Sequence, residues 1–278
     1  MKALAAALIL GMSMPAGAQE GGGLEESVTT VALPGGSDLS VVVSKQPASK
    51  PAVAALLFPG YPGVLRVQND AGKPSFQLRG NFLVRARRHL VSDKMLTVMV
   101  DCPRARWESC DDAYRTSDQY AQDIGAVIDK VKADYGVSKV YVVGTSYGTV
   151  SSAFLALKLG GRIDGAVHTA TFTDPRTGRQ AHGTPMRDFN WGAVTVDQLF
   201  VHHKDDPCPL TQYRSIVARK GNAPLVTVQG SKGARGEPCD AFSAHGFVGR
   251  ERPVMLAISD WILSRKVQET VGADNSED

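Results

Sequence analysis

Short apolar runs recur along the chain, separated by segments of different pattern. Three of these runs, Val53–Phe58, Leu96–Val100 and Val140–Val143, contain almost no polar residue. Runs of four to six residues this apolar are typical of strands buried on both faces of a sheet. Weaker runs predict further strands at Ile163–His168, Leu199–His202 and Leu225–Val228.

Helical patterns lie between these strands, at Asn81–Leu90, Thr116–Tyr135, Thr149–Leu159 and Pro253–Ile262. In the longest of them, Thr116 and Gln119 predict a capping box, and Gly136 predicts the end of the helix. An antiparallel hairpin is predicted earlier, from Val28–Leu33 and Leu39–Val43. Strands alternating with helices predict an α/β fold with a mostly parallel central sheet covered by helices on both faces. Ligands of such sheets bind beyond the carboxyl ends of the strands.

Length and composition bound the domain organisation. The chain has 278 residues, of which 43% are hydrophobic and 21% are charged, and no internal repeat or linker divides it. We therefore predict a single domain over 24–267, followed by a polar, acidic and disordered tail at 268–278. A net charge of only +3 argues against nucleic acid or an anionic membrane as a partner.

The N-terminus has the pattern of a signal peptide. Lys2 is followed by the apolar stretch Ala3–Met14, and then Ala16-Gly17-Ala18 provides small residues for cleavage. The stretch is shorter than the ~20 residues that span a bilayer. We therefore predict a signal peptide at 1–18, a periplasmic or secreted mature protein, and no stable insertion into a membrane.

The sequence Gly144-Thr145-Ser146-Tyr147-Gly148 follows the predicted strand Val140–Val143 and precedes a predicted helix. G-x-S-x-G between a strand and a helix predicts a sharp turn with an exposed serine at its apex. Glycine suits the two outer positions because larger side chains there would collide with neighbouring backbone. We predict that Ser146 is a nucleophile, with the start of the helix offering backbone N–H groups to an oxyanion.

With this motif the chain resembles the α/β-hydrolase superfamily, over roughly Leu33 to Ile262. The superfamily orders its triad as Ser, Asp or Glu, then His. The segment from Leu199 to Pro207 looks like the superfamily's strand followed by Gly-x-x-Asp-Pro, with His203 in place of the glycine. The resemblance implies Asp206 as the acid, with Asp205 and Asp174 as alternatives.

The base and the oxyanion hole follow from the same resemblance. His245 is the only histidine beyond Val228, where the superfamily carries its base. The hole is expected to use the backbone N–H groups of Tyr147 and Tyr61. The chain has Pro59 where the superfamily usually has histidine before this glycine, which changes the loop but leaves the Tyr61 donor.

Four cysteines in an exported protein favour two disulfide bonds, with three possible connectivities. We favour Cys102–Cys110 as a local bridge and Cys208–Cys239 as a long-range one, because the latter would join the loops of Asp206 and His245. Zinc spacing is missing, and a metal site from His202, His203, Asp205 and Asp206 is disfavoured because neighbouring strand residues point to opposite faces.

A serine nucleophile predicts acyl transfer without a cofactor or metal. The segment between Ala170 and Leu199 is too short for a large lid, so the site is expected to be open. We predict a carboxylesterase- or lipase-like hydrolase acting on a small-molecule or polymer ester outside the cytoplasm. The alternatives are a serine peptidase or amidase, an acyltransferase with the same triad, and an inactive binding protein with this fold.

Overall fold

The computed structural model describes residues 23–174 and 186–272. Its strands are β1 (Glu25–Ala32), β2 (Asp38–Lys45), β3 (Val53–Phe58), β4 (Gln68–Asp70), β5 (Lys73–Ser75), β6 (Met95–Val100), β7 (Lys139–Thr145), β8 (Gly165–Thr169), β9 (Gln198–His203), β10 (Leu225–Val228) and β11 (Thr270–Val271). Its α-helices are α1 (Phe82–Ala86), α2 (Asp112–Arg115), α3 (Asp118–Tyr135), α4 (Gly148–Leu159), α5 (Tyr213–Arg219) and α6 (Glu251–Ser264). The predicted α/β architecture is confirmed.

The central sheet has the strand order β1-β2-β6-β3-β7-β8-β9-β10-β11. The predicted hairpin of β1 and β2 is antiparallel, and β2 also pairs antiparallel with β6. From β6 onward every neighbouring pair is parallel. The carboxyl ends of β3, β7, β8, β9 and β10 therefore lie along one edge, where the loops that follow them meet.

The continuous apolar runs are explained by helices on both faces of the sheet. Every residue of β3 and of β6 is buried. Successive β3 residues, such as Leu56 and Leu57, belong to separate core clusters on opposite faces of the sheet. One cluster includes Ile124 of α3, and the other includes Ile258 of α6. A strand in this position needs apolar side chains at every residue, because neither face reaches water.

The predicted start of the longest helix is wrong by one residue. Ser117 caps α3 by accepting a hydrogen bond from the Tyr120 N–H at 3.1 Å, and Thr116 instead donates to the Asp112 carbonyl in the preceding helix α2. Gln119 does not complete a capping box and donates to Asp123 at 2.8 Å. The predicted end is confirmed, since Gly136 has the left-handed conformation with φ 68°.

The predicted disordered tail is wrong for its first residues. Thr270 and Val271 form β11, which pairs in parallel with β10 at the edge of the main sheet. Val271 is fully buried against the core cluster that contains α6. One buried valine among polar neighbours is too weak a pattern to predict a strand, and backbone pairing with β10 supplies the remaining stabilisation. Helix α5 and the short β4–β5 hairpin were also not predicted.

Three segments fall outside the described residues: 1–22, 175–185 and 273–278. The predicted signal peptide at 1–18 lies in the first of them. The connection between β8 and β9 contains one short 3-10 helix at Trp191–Ala193 within its described part. Among the described residues, no helix has the length and apolar character needed to cross a membrane.

Candidate active site

Ser146 lies at the sharp turn between β7 and α4, as predicted. Its φ of 51° is in the left-handed region that residues other than glycine rarely adopt. A Cβ atom on Gly144 would lie 2.5 Å from the Gly148 carbonyl oxygen, and one on Gly148 would lie 2.0 Å from the Phe58 carbonyl oxygen. Both glycines are therefore required by close backbone contacts, one within the turn and the other with the end of β3. Strain of this kind persists at functional sites when the surrounding structure enforces it.

Asp206 and His245 are brought together from loops after β9 and β10. The His245 Nδ1 atom lies 3.1 Å from Asp206 Oδ2, and the Asp206 side chain has no exposed surface. The Cys208 N–H donates to Asp206 Oδ1 at 2.9 Å. These contacts fix the orientation of both side chains and keep water away from the carboxylate.

Thr211 is a further member of this group that the sequence did not indicate. Its hydroxyl donates to Asp206 Oδ2 at 2.9 Å and lies 3.0 Å from His245 Nδ1. Thr211 is fully buried, so its hydroxyl is held in this position by packing. No local pattern distinguishes this threonine from others in the chain.

The two alternative acids lie elsewhere. Asp205 is exposed, and its backbone N–H donates to His203 Nδ1. Asp174 accepts hydrogen bonds from the hydroxyls of Ser215 at 2.7 Å and Thr173 at 2.9 Å. Its carboxylate therefore anchors the first turn of α5 to the loop that follows β8.

Arg85 of α1 fixes the loop that carries His245. Its guanidinium donates to the carbonyls of Gly246 and Gly80, both at 2.7 Å, and pairs with Glu251 at 2.8 Å. Gly80 and Gly246 both line the cavity that contains Ser146. Arg85 therefore joins two walls of this cavity, a role that its position in a basic helical segment did not indicate.

Both predicted disulfides are present, Cys102–Cys110 and Cys208–Cys239. The second joins the loop of Asp206 to the loop of His245, and both of its cysteines line the cavity beside Ser146. The Cα atoms of Cys208 and Cys239 are 4.6 Å apart, so the two loops are tightly fastened.

The cavity lies above the carboxyl edge of the sheet and has a volume of about 890 Å³. Ser146 and His245 open into it, together with Tyr61 and Tyr147, whose backbone N–H groups are the predicted oxyanion donors. The two tyrosine rings meet edge to face at 5.9 Å, with Tyr61 74% exposed and Tyr147 buried. Further lining residues are mostly apolar: Leu78, Phe82, Phe172, Pro209, Leu210 and Ala241.

Two other histidines are buried and neutral. Burial lowers the pKa of His168 to about 3 and the pKa of His202 to about 4. His168 Nδ1 is hydrogen-bonded to the Ser152 hydroxyl at 2.8 Å, and His202 Nε2 accepts from the Thr171 N–H. Within residues 23–174 and 186–272, no group of three or more acidic, histidine or cysteine side chains is arranged to hold a metal ion.

Comparison with known proteins places this geometry in context. The family profile described as serine aminopeptidase, S33, matches residues 112–241. The structure of Est1E from Butyrivibrio proteoclasticus has a TM-score of 0.59 and 16% identity, covering 86% of this chain and 98% of its own. A serine hydrolase without a lid from Xanthomonas campestris has a TM-score of 0.50 and 18% identity, covering 74% of this chain and 85% of its own. An esterase domain from Rhodothermus marinus has a TM-score of 0.54 and 11% identity, covering 85% of this chain and 97% of its own.

No curated protein sequence matches the chain. At these identities the structural likeness concerns the fold. On this evidence, the chain has the α/β-hydrolase fold.

Proposed function

We propose that this protein is a serine hydrolase that cleaves carboxylic esters through an acyl-enzyme intermediate. One observation carries the proposal. Ser146, held at a strained turn, opens into the same cavity as His245, and the His245 ring is held by the buried carboxylate of Asp206 at 3.1 Å.

The reaction begins when Ser146 Oγ attacks the ester carbonyl carbon. An ionised Asp206 accepts hydrogen bonds only, so the proton of the neutral His245 ring lies on Nδ1 and Nε2 is the base. Nε2 takes the serine proton and then gives it to the departing alcohol. Water next attacks the acyl-enzyme by the same route, releasing the acid and restoring Ser146.

The tetrahedral intermediate carries a negative charge on the former carbonyl oxygen. One proposed donor, the backbone N–H of Tyr147, lies directly before the first residue of α4. The other, the backbone N–H of Tyr61, lies in the loop after β3. Both residues line the cavity with Ser146, which supports their role as oxyanion donors. Loss of one such donor typically lowers kcat about 10²–10³-fold.

An ester is preferred over a peptide as the substrate. The Rhodothermus marinus domain is named as an esterase, whereas the matching family profile is named for an aminopeptidase. The apolar side chains in the cavity lining, such as Leu78, Phe172 and Leu210, suit an acyl group with an apolar chain or ring. An acyltransferase would need to exclude water from this cavity, and an inactive protein would have no need for the strained Ser146.

The protein is proposed to act outside the cytoplasm, in the periplasm or after secretion. The N-terminal sequence up to Ala18 supports export, and the two disulfides fit an oxidising compartment.

Labelling with a fluorophosphonate tests the nucleophile, with Ser146→Ala as the control that must not label. A panel of p-nitrophenyl esters and aminoacyl p-nitroanilides then separates esterase from peptidase activity. We expect labelling of the wild type and faster turnover of esters. Losing the nucleophile should lower kcat by up to about 10⁶-fold. Near-normal ester turnover by a folded Ser146→Ala variant would refute the proposal.

A further inference from the structure

Arg115 is a buried cation close to the proposed active site. It ends helix α2 and is only 1% exposed. Among the residues that the structure describes, none of its contacts is with a carboxylate. Burying an arginine without an acidic partner is costly unless its donors are satisfied by hydrogen bonds. The partners of these hydrogen bonds therefore indicate which segments Arg115 holds in place.

The hydrogen bonds of Arg115 reach the loop that follows Tyr61. Its Nη2 atom donates to the Gly63 carbonyl at 3.1 Å and lies 3.4 Å from the Pro62 carbonyl oxygen. The fit is close, since a Cβ atom on Gly63 would lie 2.6 Å from Nη2. The guanidinium thus fixes the two residues next to Tyr61, whose N–H is the first proposed oxyanion donor.

The same side chain also contacts the segment that carries the second donor. Its guanidinium carbon lies 5.1 Å from the centroid of the Tyr147 ring. Its Nη1 atom donates to the hydroxyl of Ser151, one turn into α4, at 2.9 Å. Its Nε atom donates to the Cys110 carbonyl at 3.1 Å, which connects it to the loop closed by the Cys102–Cys110 disulfide.

We propose that Arg115 is a positioning residue that holds the two halves of the oxyanion hole in register. The inference rests on the proposed function, because it concerns the two backbone donors that the reaction uses. One planar guanidinium spans the loop after β3 and the start of α4, which are distant in sequence. A single fork of donors suits this task, whereas a lysine could satisfy only part of the set. The positive charge in a water-poor interior also favours the negative charge of the intermediate.

Two substitutions test the proposal. Arg115→Met retains much of the bulk but no donor, and Arg115→Lys retains the charge without the fork. Because donors would be displaced and not removed, the loss should be smaller than for deleting a donor. We expect kcat to fall about 30-fold in Arg115→Met and about 10-fold in Arg115→Lys, with KM changed less than about threefold.

Affinity for a trifluoromethyl ketone provides a second readout, because its adduct with the serine places an oxyanion in the hole. Its dissociation constant should rise in proportion to the loss of kcat/KM. Arg265→Met is the matched control, since Arg265 also lies over a tyrosine, Tyr141 of β7, and has no contact with the cavity residues. It should leave kcat and inhibitor affinity unchanged. All assays are run well below the melting temperature of each variant, so that the protein is folded.

Ser151→Ala keeps the experiment decisive if the Arg115 variants fail to fold. It removes one partner of Arg115 and leaves the charge, so kcat should fall about three- to tenfold. The proposal would be overturned by folded Arg115 variants with wild-type kcat and inhibitor affinity, or by a change confined to KM. If the Arg115 variants do not fold, an unchanged kcat in Ser151→Ala would also overturn the proposal. A wild type that neither labels nor hydrolyses any ester would instead refute the proposed function itself.

Discussion

At the scale of single residues, two adjacent carboxylates have different surroundings. Asp206 contacts His245, and Asp205 is exposed. We expect Asp206→Asn to lower kcat about 10⁴-fold, because an amide no longer favours the productive imidazole tautomer. Asp205→Asn is the matched control and should retain nearly full activity. Steady-state kinetics on a p-nitrophenyl ester measures both, and the opposite ranking would move the acid to Asp205.

Thr211 offers a second prediction at this scale. Thr211→Val removes a hydroxyl that contacts both Asp206 and His245, while keeping the shape of the side chain. A net hydrogen bond is worth about 0.5–1.5 kcal/mol, so kcat should fall about three- to tenfold.

Thr173→Val is the control for Thr211→Val. Thr173 is equally buried and also donates to a carboxylate, that of Asp174, in the network that anchors α5. It should lower the melting temperature without a matching loss of kcat. Equal losses of kcat in the two variants would show that Thr211 matters only for stability.

At the scale of elements, the loops after β9 and β10 are held together by Cys208–Cys239. The cysteines are 31 residues apart, for which the chain-entropy model gives about 3–4 kcal/mol of stabilisation. A Cys208→Ala/Cys239→Ala variant should lose activity at a lower temperature than it loses secondary structure, because the Asp206–His245 contact depends on these loops. Activity and circular dichroism measured along the same temperature series give the two midpoints.

The Cys102→Ala/Cys110→Ala variant is the control for the loss of a bridge. The Cys102–Cys110 bridge closes a loop of only 8 residues, outside the loops of Asp206 and His245, and this loop contacts Arg115. The kcat of this variant should therefore fall at every temperature, while activity and secondary structure should be lost at the same, lowered melting temperature. If both double variants behaved in this way, the Cys208–Cys239 bridge would have no local effect on the site.

At the scale of the whole molecule, buried neutral histidines make stability depend on pH. Burial lowers the pKa of folded His168 to about 3 and of folded His202 to about 4, from an ordinary 6.5. Below pH 6.5 the unfolded chain binds protons that the folded protein does not. The free energy of unfolding should therefore fall as the pH drops from 6.5 towards 4, by up to about 1.4 kcal/mol per pH unit for each histidine.

Urea unfolding at several pH values measures this slope. Between pH 6 and 4, His168→Asn should reduce the slope of the unfolding free energy against pH by about 1.4 kcal/mol per pH unit, which corresponds to one proton. This reduction is expected whatever the substitution does to stability at pH 7. All other ionisable groups contribute equally to the wild-type and His168→Asn curves. The difference between the two curves therefore reports on His168 alone. Parallel curves for the two proteins would contradict a neutral, buried His168.

Much of the fold could be predicted because its signals are local. The bounds of Val53–Phe58 are predicted to the residue, since burial on both faces demands an uninterrupted apolar run. The bounds of Leu225–Val228 are also predicted to the residue, although only Val226 and Val228 of this strand are fully buried. The turn at Ser146 is predictable because the two glycines that it requires, Gly144 and Gly148, lie within five consecutive residues. In contrast, β11 depends on pairing with β10, and the start of α3 depends on the adjacent α2, which no periodic pattern indicated.

The sequence by itself determined the α/β architecture and the nucleophile candidate, and its resemblance to the α/β-hydrolase superfamily implied the order in which acid and base follow. Only the tertiary structure decided which aspartate faces His245, and only it revealed Thr211, Arg85 and Arg115. The physical reason is that hydrophobic periodicity and turn chemistry act between near neighbours in the chain. The partner of a buried polar group is instead chosen by packing, from residues such as Arg85 and Gly246 that are 161 positions apart.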